Sequence, residues 1–106
     1  MPKYLFHGSY TVAGLQGVLK EGAVSRRDTI AALVANMGGS MESFHFALGG
    51  DDIYSIVDLP DQQTAIALSL AVNGTGTVNI RTTVLITAEE ADAAAQITVN
   101  YRPPGQ

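Results

Sequence analysis

The chain holds two histidines, His7 and His45, each inside a run of strand-forming residues. Imidazole gains and loses its proton near neutral pH, so a histidine on an accessible face is a candidate general base. Successive residues of a strand point to opposite faces. By that parity His7 and His45 share a face with Ser9, Ser43, Ser55, Asn79, Arg81 and Thr83. Imidazole, guanidinium, hydroxyl and amide groups together suit an anionic or aromatic small molecule. They equally suit a wet interface in which they hydrogen-bond one another. No metal is expected, because two imidazoles need a third ligand. The nearby acids Glu42, Asp52 and Asp58 take the opposite parity unless a β-bulge inverts one.

Other clusters have plainer readings. Asp51, Asp52, Asp58 and Asp61 do not follow the spacing of a calcium loop. They read as two turn residues, a strand end and a helix cap. Lys20, Arg26 and Arg27 gather beside Ser25 at an expected helix start, where an anion can bind. No glycine-rich loop precedes them, so they read as a solvated face. Gly74-Thr-Gly76 leads into a strand and has Asn79 at the third glycine position, so it is no dinucleotide fingerprint. There is no G-x-S-x-G elbow and no P-loop, which weighs against hydrolase and NTPase chemistry. The absence of cysteine excludes disulfides, thiolate metal sites and cysteine nucleophiles. No cofactor is expected.

Composition narrows the partners. Six basic residues against ten acidic ones give a net charge of −4, which argues against a nucleic-acid backbone. The 106 residues are 46% apolar and 15% charged, too apolar for a disordered chain. No apolar run approaches the roughly 18 residues of a membrane helix. Met1-Pro-Lys-Tyr-Leu-Phe-His-Gly8 has no signal-peptide pattern, so a cytoplasmic location is expected.

The elements that must position these groups follow from period and punctuation. Residues 3–10 read as a strand. Thr11 caps a short helix through Val12, Leu15 and Leu19, weakened by Gly14 and Gly17. Ser25 and Asp28 form a variant capping box opening a second helix. Its stripe is Ile30, Leu33, Val34 and Met37, and Gly38-Gly39 stops it. Residues 41–48 and 53–59 read as strands joined by Gly49-Gly50-Asp51-Asp52. Asp61 caps a helix over 62–73 that is apolar nearly all round and should be heavily buried. Residues 77–86 form the last strand, and Thr87 to Glu90 is a capping box for a helix to about Ile97. The reading is one domain over 1–100 and an extended Pro-rich tail over 101–106.

Strand, helix, strand, strand, helix, strand is the ferredoxin-like α+β arrangement, an antiparallel sheet with its main helices on one side and here an added C-terminal helix. Three strands divide into a greasy face and a mixed one; the third is ambiguous. Leu5, Met41, Ile53, Val57 and Leu85 are expected beside the polar groups of the mixed face. A face that apolar should be covered, most simply by a second copy.

The chain resembles the GYD-domain family within the dimeric α+β barrel superfamily. The resembling stretches are residues 2–11, Ser25-Arg-Arg-Asp28, Gly38-Gly39, Glu42-Ser-Phe-His-Phe46, Gly50-Asp-Asp52, Val57-Asp-Leu-Pro60 and Tyr101-Arg-Pro-Pro-Gly105. Asp51 stands where the eponymous tyrosine would be. The resemblance implies two ferredoxin-like sheets closing face to face, a homo-oligomer of at least two chains. The expected function is small-molecule binding on the inter-sheet face by His7, His45, Asn79 and Arg81, with Asp52 at the rim. The alternatives are a cofactor-independent oxygenase- or isomerase-like enzyme and a purely structural assembly protein.

Overall fold

The computed structural model describes residues 1–106. The elements run β1 (Lys3–Tyr10), α1 (Val12–Glu21), α2 (Ala23–Asn36), β2 (Ser40–Phe46), β3 (Ile53–Asp58), α3 (Gln62–Asn73), β4 (Val78–Leu85) and α4 (Ala88–Ala95). The four strands form one antiparallel sheet in the order β2-β3-β1-β4. This is the ferredoxin-like α+β arrangement the sequence predicts, with the first helix divided in two.

Local chemistry explains most boundaries. Thr11 accepts the Gly14 amide at 3.2 Å, and Asp61 accepts the Thr64 amide at 2.8 Å. The Thr87–Glu90 box is formed in both directions at 3.0 Å. At the end of α2, Gly38 adopts φ 85° and donates to Ala35 O, while Gly39 donates to Val34 O. This is the paired closure that glycine permits. The expected Ser25–Asp28 box is not the start of α2. The helix begins at Ala23, with Gly22 (φ 99°) serving as C-cap of α1 and N-cap of α2. Only glycine takes that angle freely, so the joint overrides the side-chain cap. Ser25 instead donates to Glu21 at 3.2 Å.

The core lies between sheet and helices: Tyr4, Phe6, Val34, Val57, Leu59, Ala65 and Leu68, flanked by Ile30, Met37, Met41, Val72 and Ile80. Packing overturns the expected placement of β3, Met41, Glu42 and α3. In β3, Ile53, Ser55 and Val57 are buried opposite Gly8, Phe6 and Tyr4, so they face the helices and Tyr54, Ile56 and Asp58 take the open face. Met41 joins the core because a bulge between Met41 and Ser43 shifts the parity of β2. The same bulge turns Glu42 toward the open face, where its carboxylate meets Lys3 at 3.3 Å. Finally, α3 buries only Ala65 and Leu68, while Ile66 and Leu70 are exposed. An outer-layer helix has one neighbouring layer, so its second apolar side stays bare.

No helix packs on the open face, and residues 86–106 are exposed throughout. The radius of gyration is 17.0 Å, against about 13 Å for a compact chain of this length. The excess comes from the C-terminal arm leaving the body. No helix is long and apolar enough to cross a membrane.

Candidate functional site

Strand register places the chemistry in rows across the open face. His7 of β1 lies between Arg81 of β4 and Tyr54 of β3, and Tyr54 is followed by His45 of β2. The two histidines thus occupy one row, two strands apart, roughly 10 Å by strand spacing. The His7 and Tyr54 rings stack at 5.8 Å with 5° between their planes. Asn79 lies in the next row, opposite Ser9. Of the remaining expected residues, Ser43 and Thr83 join this face, and Ser55 is on the other side with its hydroxyl on Ser43 O. Leu5 and Ile56 form the apolar middle of the face, and Lys3, between Asp58 and Glu42, marks its far end. The Asp58 bond, then the Glu42 bond, raise the Lys3 pKa.

The residue that organises the polar end is Asp51. It is 8% exposed, one of two buried polar residues, and its Oδ2 accepts both His7 Nδ1 at 2.8 Å and an Arg81 Nη. The Ser9 hydroxyl donates to Gly50 O and lies 3.5 Å from the other Asp51 oxygen. A carboxylate only accepts, so His7 Nδ1 carries a proton. In the neutral ring Nε2 then accepts from the Thr83 hydroxyl at 3.2 Å. The result is a hydroxyl–imidazole–carboxylate chain, oriented by a buried anion with two cationic-type donors. Asp52, expected at the rim, accepts the Tyr10 amide at 3.0 Å, tying the turn to the end of β1. Sequence reasoning passed over Asp51 as a turn residue. Its place beside His7 depends on β3 pairing with β1, a contact 44 positions apart that no local pattern carries.

The bond from His7, then the Arg81 guanidinium, hold the Asp51 carboxyl below the usual carboxylate range. A depressed folded value adds stability that is present above the unfolded value and lost as pH falls through the folded one. The wild type should therefore lose part of its stability below about pH 4. Asp51→Asn should be less stable at pH 7 and should flatten that acid limb, read from urea midpoints between about pH 2.5 and 7. Equal slopes in both proteins would show that Asp51 is not the group titrating. Asp61, lowered by its Thr64 bonds, remains in both and sets the background.

A second feature lies on the opposite face. A cavity of about 330 Å³ opens between the sheet and the helices α1, α2 and α3. Its walls are mostly apolar, with Ile30, Phe44, Leu68 and Val72 among them, and Tyr10, Glu21 and Arg26 supply its polar part. Burial pushes the Tyr10 phenol up, opposed by the Arg26 charge, so the hydroxyl keeps its proton as a donor. Arg26 is held by Glu21 at 3.2 Å. Gly17 also lines the cavity, and a side chain there would meet nothing within 4 Å. No group of three or more metal-ligating side chains is assembled anywhere.

Compared with known proteins, a family model described as the GYD domain matches residues 4–95. Neither curated proteins nor solved structures yield a match.

Proposed function

The chain belongs to the GYD-domain family over residues 4–95, and on the geometry of that domain we propose that it is a small-molecule-binding homodimer. The observation that carries this reading is the helix-side cavity. Its volume is about 330 Å³. Ligand pockets begin at roughly 300 Å³, so the space suits a small molecule. Its chemistry selects an apolar, ring-bearing molecule with an anionic or acceptor group directed at Arg26 and the Tyr10 hydroxyl. Pairing of the open faces would cover Tyr54, which is 38% exposed, and complete the partial burial of Leu5, Ile56 and Leu85.

The test uses 1-anilinonaphthalene-8-sulfonate, an aromatic sulfonate of this class. Calorimetric titration should give one site per chain. Gly17→Leu should weaken it at least tenfold by filling the cavity, while leaving or raising the thermal midpoint, since glycine costs a helix interior about 0.5–1 kcal/mol relative to alanine. Undiminished dye binding by a folded Gly17→Leu protein would remove this reading. Ile56→Asp, in the middle of the open face, should shift sedimentation from dimer to monomer.

A second reading places an anionic ligand between the paired sheets, at His7, His45, Asn79 and Arg81 with Asp52 at the rim. It is favoured by one row carrying Arg81, His7, Tyr54 and His45. In that setting His7, oriented by Asp51, would be the base of an oxygenase- or isomerase-like reaction, a role resting on fold analogy alone. His7→Ala and His45→Ala separate the two sites: each should abolish benzoate binding there and leave the dye in the helix-side cavity untouched.

A further inference from the structure

The sheet has two edges, and one of them is open along a defined length. Thr11 N donates to Thr77 O, so alternate β1–β4 pairs are hydrogen-bonded. The pairs Gly8–Ile80, Phe6–Thr82 and Tyr4–Val84 are the ones that are not. The backbone groups of Ile80, Thr82 and Val84 therefore point away from the sheet. At Ile80 both are taken by one side chain: its amide donates to Asn73 Oδ1 at 2.6 Å and its carbonyl accepts from Asn73 Nδ2 at 3.1 Å. Asparagine there substitutes for a neighbouring strand. Thr82 and Val84 have no such partner, so this edge invites a strand from Thr82 onward.

The flank of that edge is apolar. Asn73 and Ser69 of α3 contact Ile80 and Thr82 respectively, so α3 runs antiparallel to β4. One turn earlier on α3, Ile66 stands level with Val84. Ile66 is 49% exposed and Val84 57% exposed. The edge and helix together form an uncovered apolar step.

The chain carries one segment with the pattern to fill it. After α4, residues 97–102 read Ile-Thr-Val-Asn-Tyr-Arg, apolar at every second position, which is the period of a strand with one buried face. Ile97, Val99 and Tyr101 are 69–75% exposed, and no strand partner exists for them in the chain. Folding back beside its own β4 would make α4 a crossover helix, which must lay an apolar stripe on the sheet. The α4 sequence is Ala-Glu-Glu-Ala-Asp-Ala-Ala-Ala; its apolar side is only the methyl groups of Ala88, Ala91, Ala94 and Ala95, and none of its residues is buried. It acts as a spacer of about 12 Å that carries the segment away from the body.

We infer that residues 97–101 add as a strand to the β4 edge of a second copy, pairing with Thr82 and Val84 and seating Ile97, Val99 and Tyr101 against Val84 and Ile66. Pairing stops at Ile80, where Asn73 already occupies the edge.

The native chain has no cysteine, which makes cross-linking unambiguous. Full-length Val84→Cys is mixed with full-length Thr98→Cys, Val99→Cys or Asn100→Cys and oxidised mildly. At least one mixture should give a disulfide-linked species of twice the 11.1 kDa chain mass that contains both variants. Absence of that species in all three mixtures overturns the proposal. So does closure of a Val84→Cys/Val99→Cys double variant within single chains. Val99→Pro, outside the folded body, removes an amide and should weaken self-association at least tenfold with the circular dichroism spectrum preserved. Unchanged association would also overturn it.

Discussion

Leu59→Ala is expected to lower the free energy of unfolding by about 2–5 kcal/mol. Leu59 is fully buried in the cluster formed by Tyr4, Phe6, Val34, Val57, Ala65 and Leu68. Its amide is also held by Pro2 O at 3.1 Å, so the backbone cannot collapse into the space left behind. Only 14 of 106 residues are buried, which leaves few neighbours able to rearrange. Urea denaturation with an unchanged slope would measure the loss. A cost below about 0.5 kcal/mol, within the ordinary spread of surface changes, would show that the helices do not close over Leu59.

The second large effect concerns α1, the roof of the cavity. Gly14 lies against Thr77, and an added Cβ would overlap the Thr77 carbonyl oxygen. The same junction is fixed by the Thr11 amide on Thr77 O at 2.9 Å and by the Thr11 hydroxyl on Gly76 O at 3.0 Å. Gly14→Ala must therefore push the helix off the start of β4, at about 1–3 kcal/mol. Three residues along, Gly17→Ala meets open space and should stabilise by about 0.5–1 kcal/mol. One substitution with opposite signs at two glycines of one helix is the expected pattern in thermal midpoints. Two changes of the same sign would mean that the Thr77 contact does not set the height of α1. Because Gly14 and Gly17 both line the cavity, the first glycine fixes its width and the second keeps it empty.

The fold was legible because its signals are local. Thr11, Asp61 and the Thr87–Glu90 pair cap helices where their side chains predict, and strand order follows from short connections. Legibility failed where two patterns competed. Ile53 and Val57 are as apolar as Tyr54 and Ile56, so either parity of β3 satisfies the sequence. The choice falls to its pairing with Tyr4 and Phe6. The bulge that moves Met41 inward has no mark in Ser-Met-Glu-Ser, since any of these residues fits a strand edge. Consequently the open face holds fewer apolar side chains than expected, with Ile53, Val57 and Met41 in the core. Much of the exposed apolar surface lies instead on the outer sides of α1 and α3 and on the arm.

The candidate sites divide in the same way. His7, His45, Asn79 and Arg81 share a face because parity within each of their strands is unambiguous near those positions. Asp51 escaped because its role arises from long-range pairing. The Gly50-Asp51-Asp52 turn thus contributes one acid to the imidazole and one to the backbone of Tyr10, where the family name would have a tyrosine between glycine and aspartate. The cavity was equally hidden, since Gly17 reads in sequence only as a weakness in a helix.

Placing β1 in the interior of the sheet has a consequence for how the chain is made. The first strand to be synthesised finds one neighbour only after residue 58 and the other only after residue 85. Those long loops must close before the central hydrogen bonds form, which places completion of the sheet late in synthesis. A nascent chain halted before Val78 would have β1 paired with β3 on one side only, its other edge open to whatever extended polypeptide it meets.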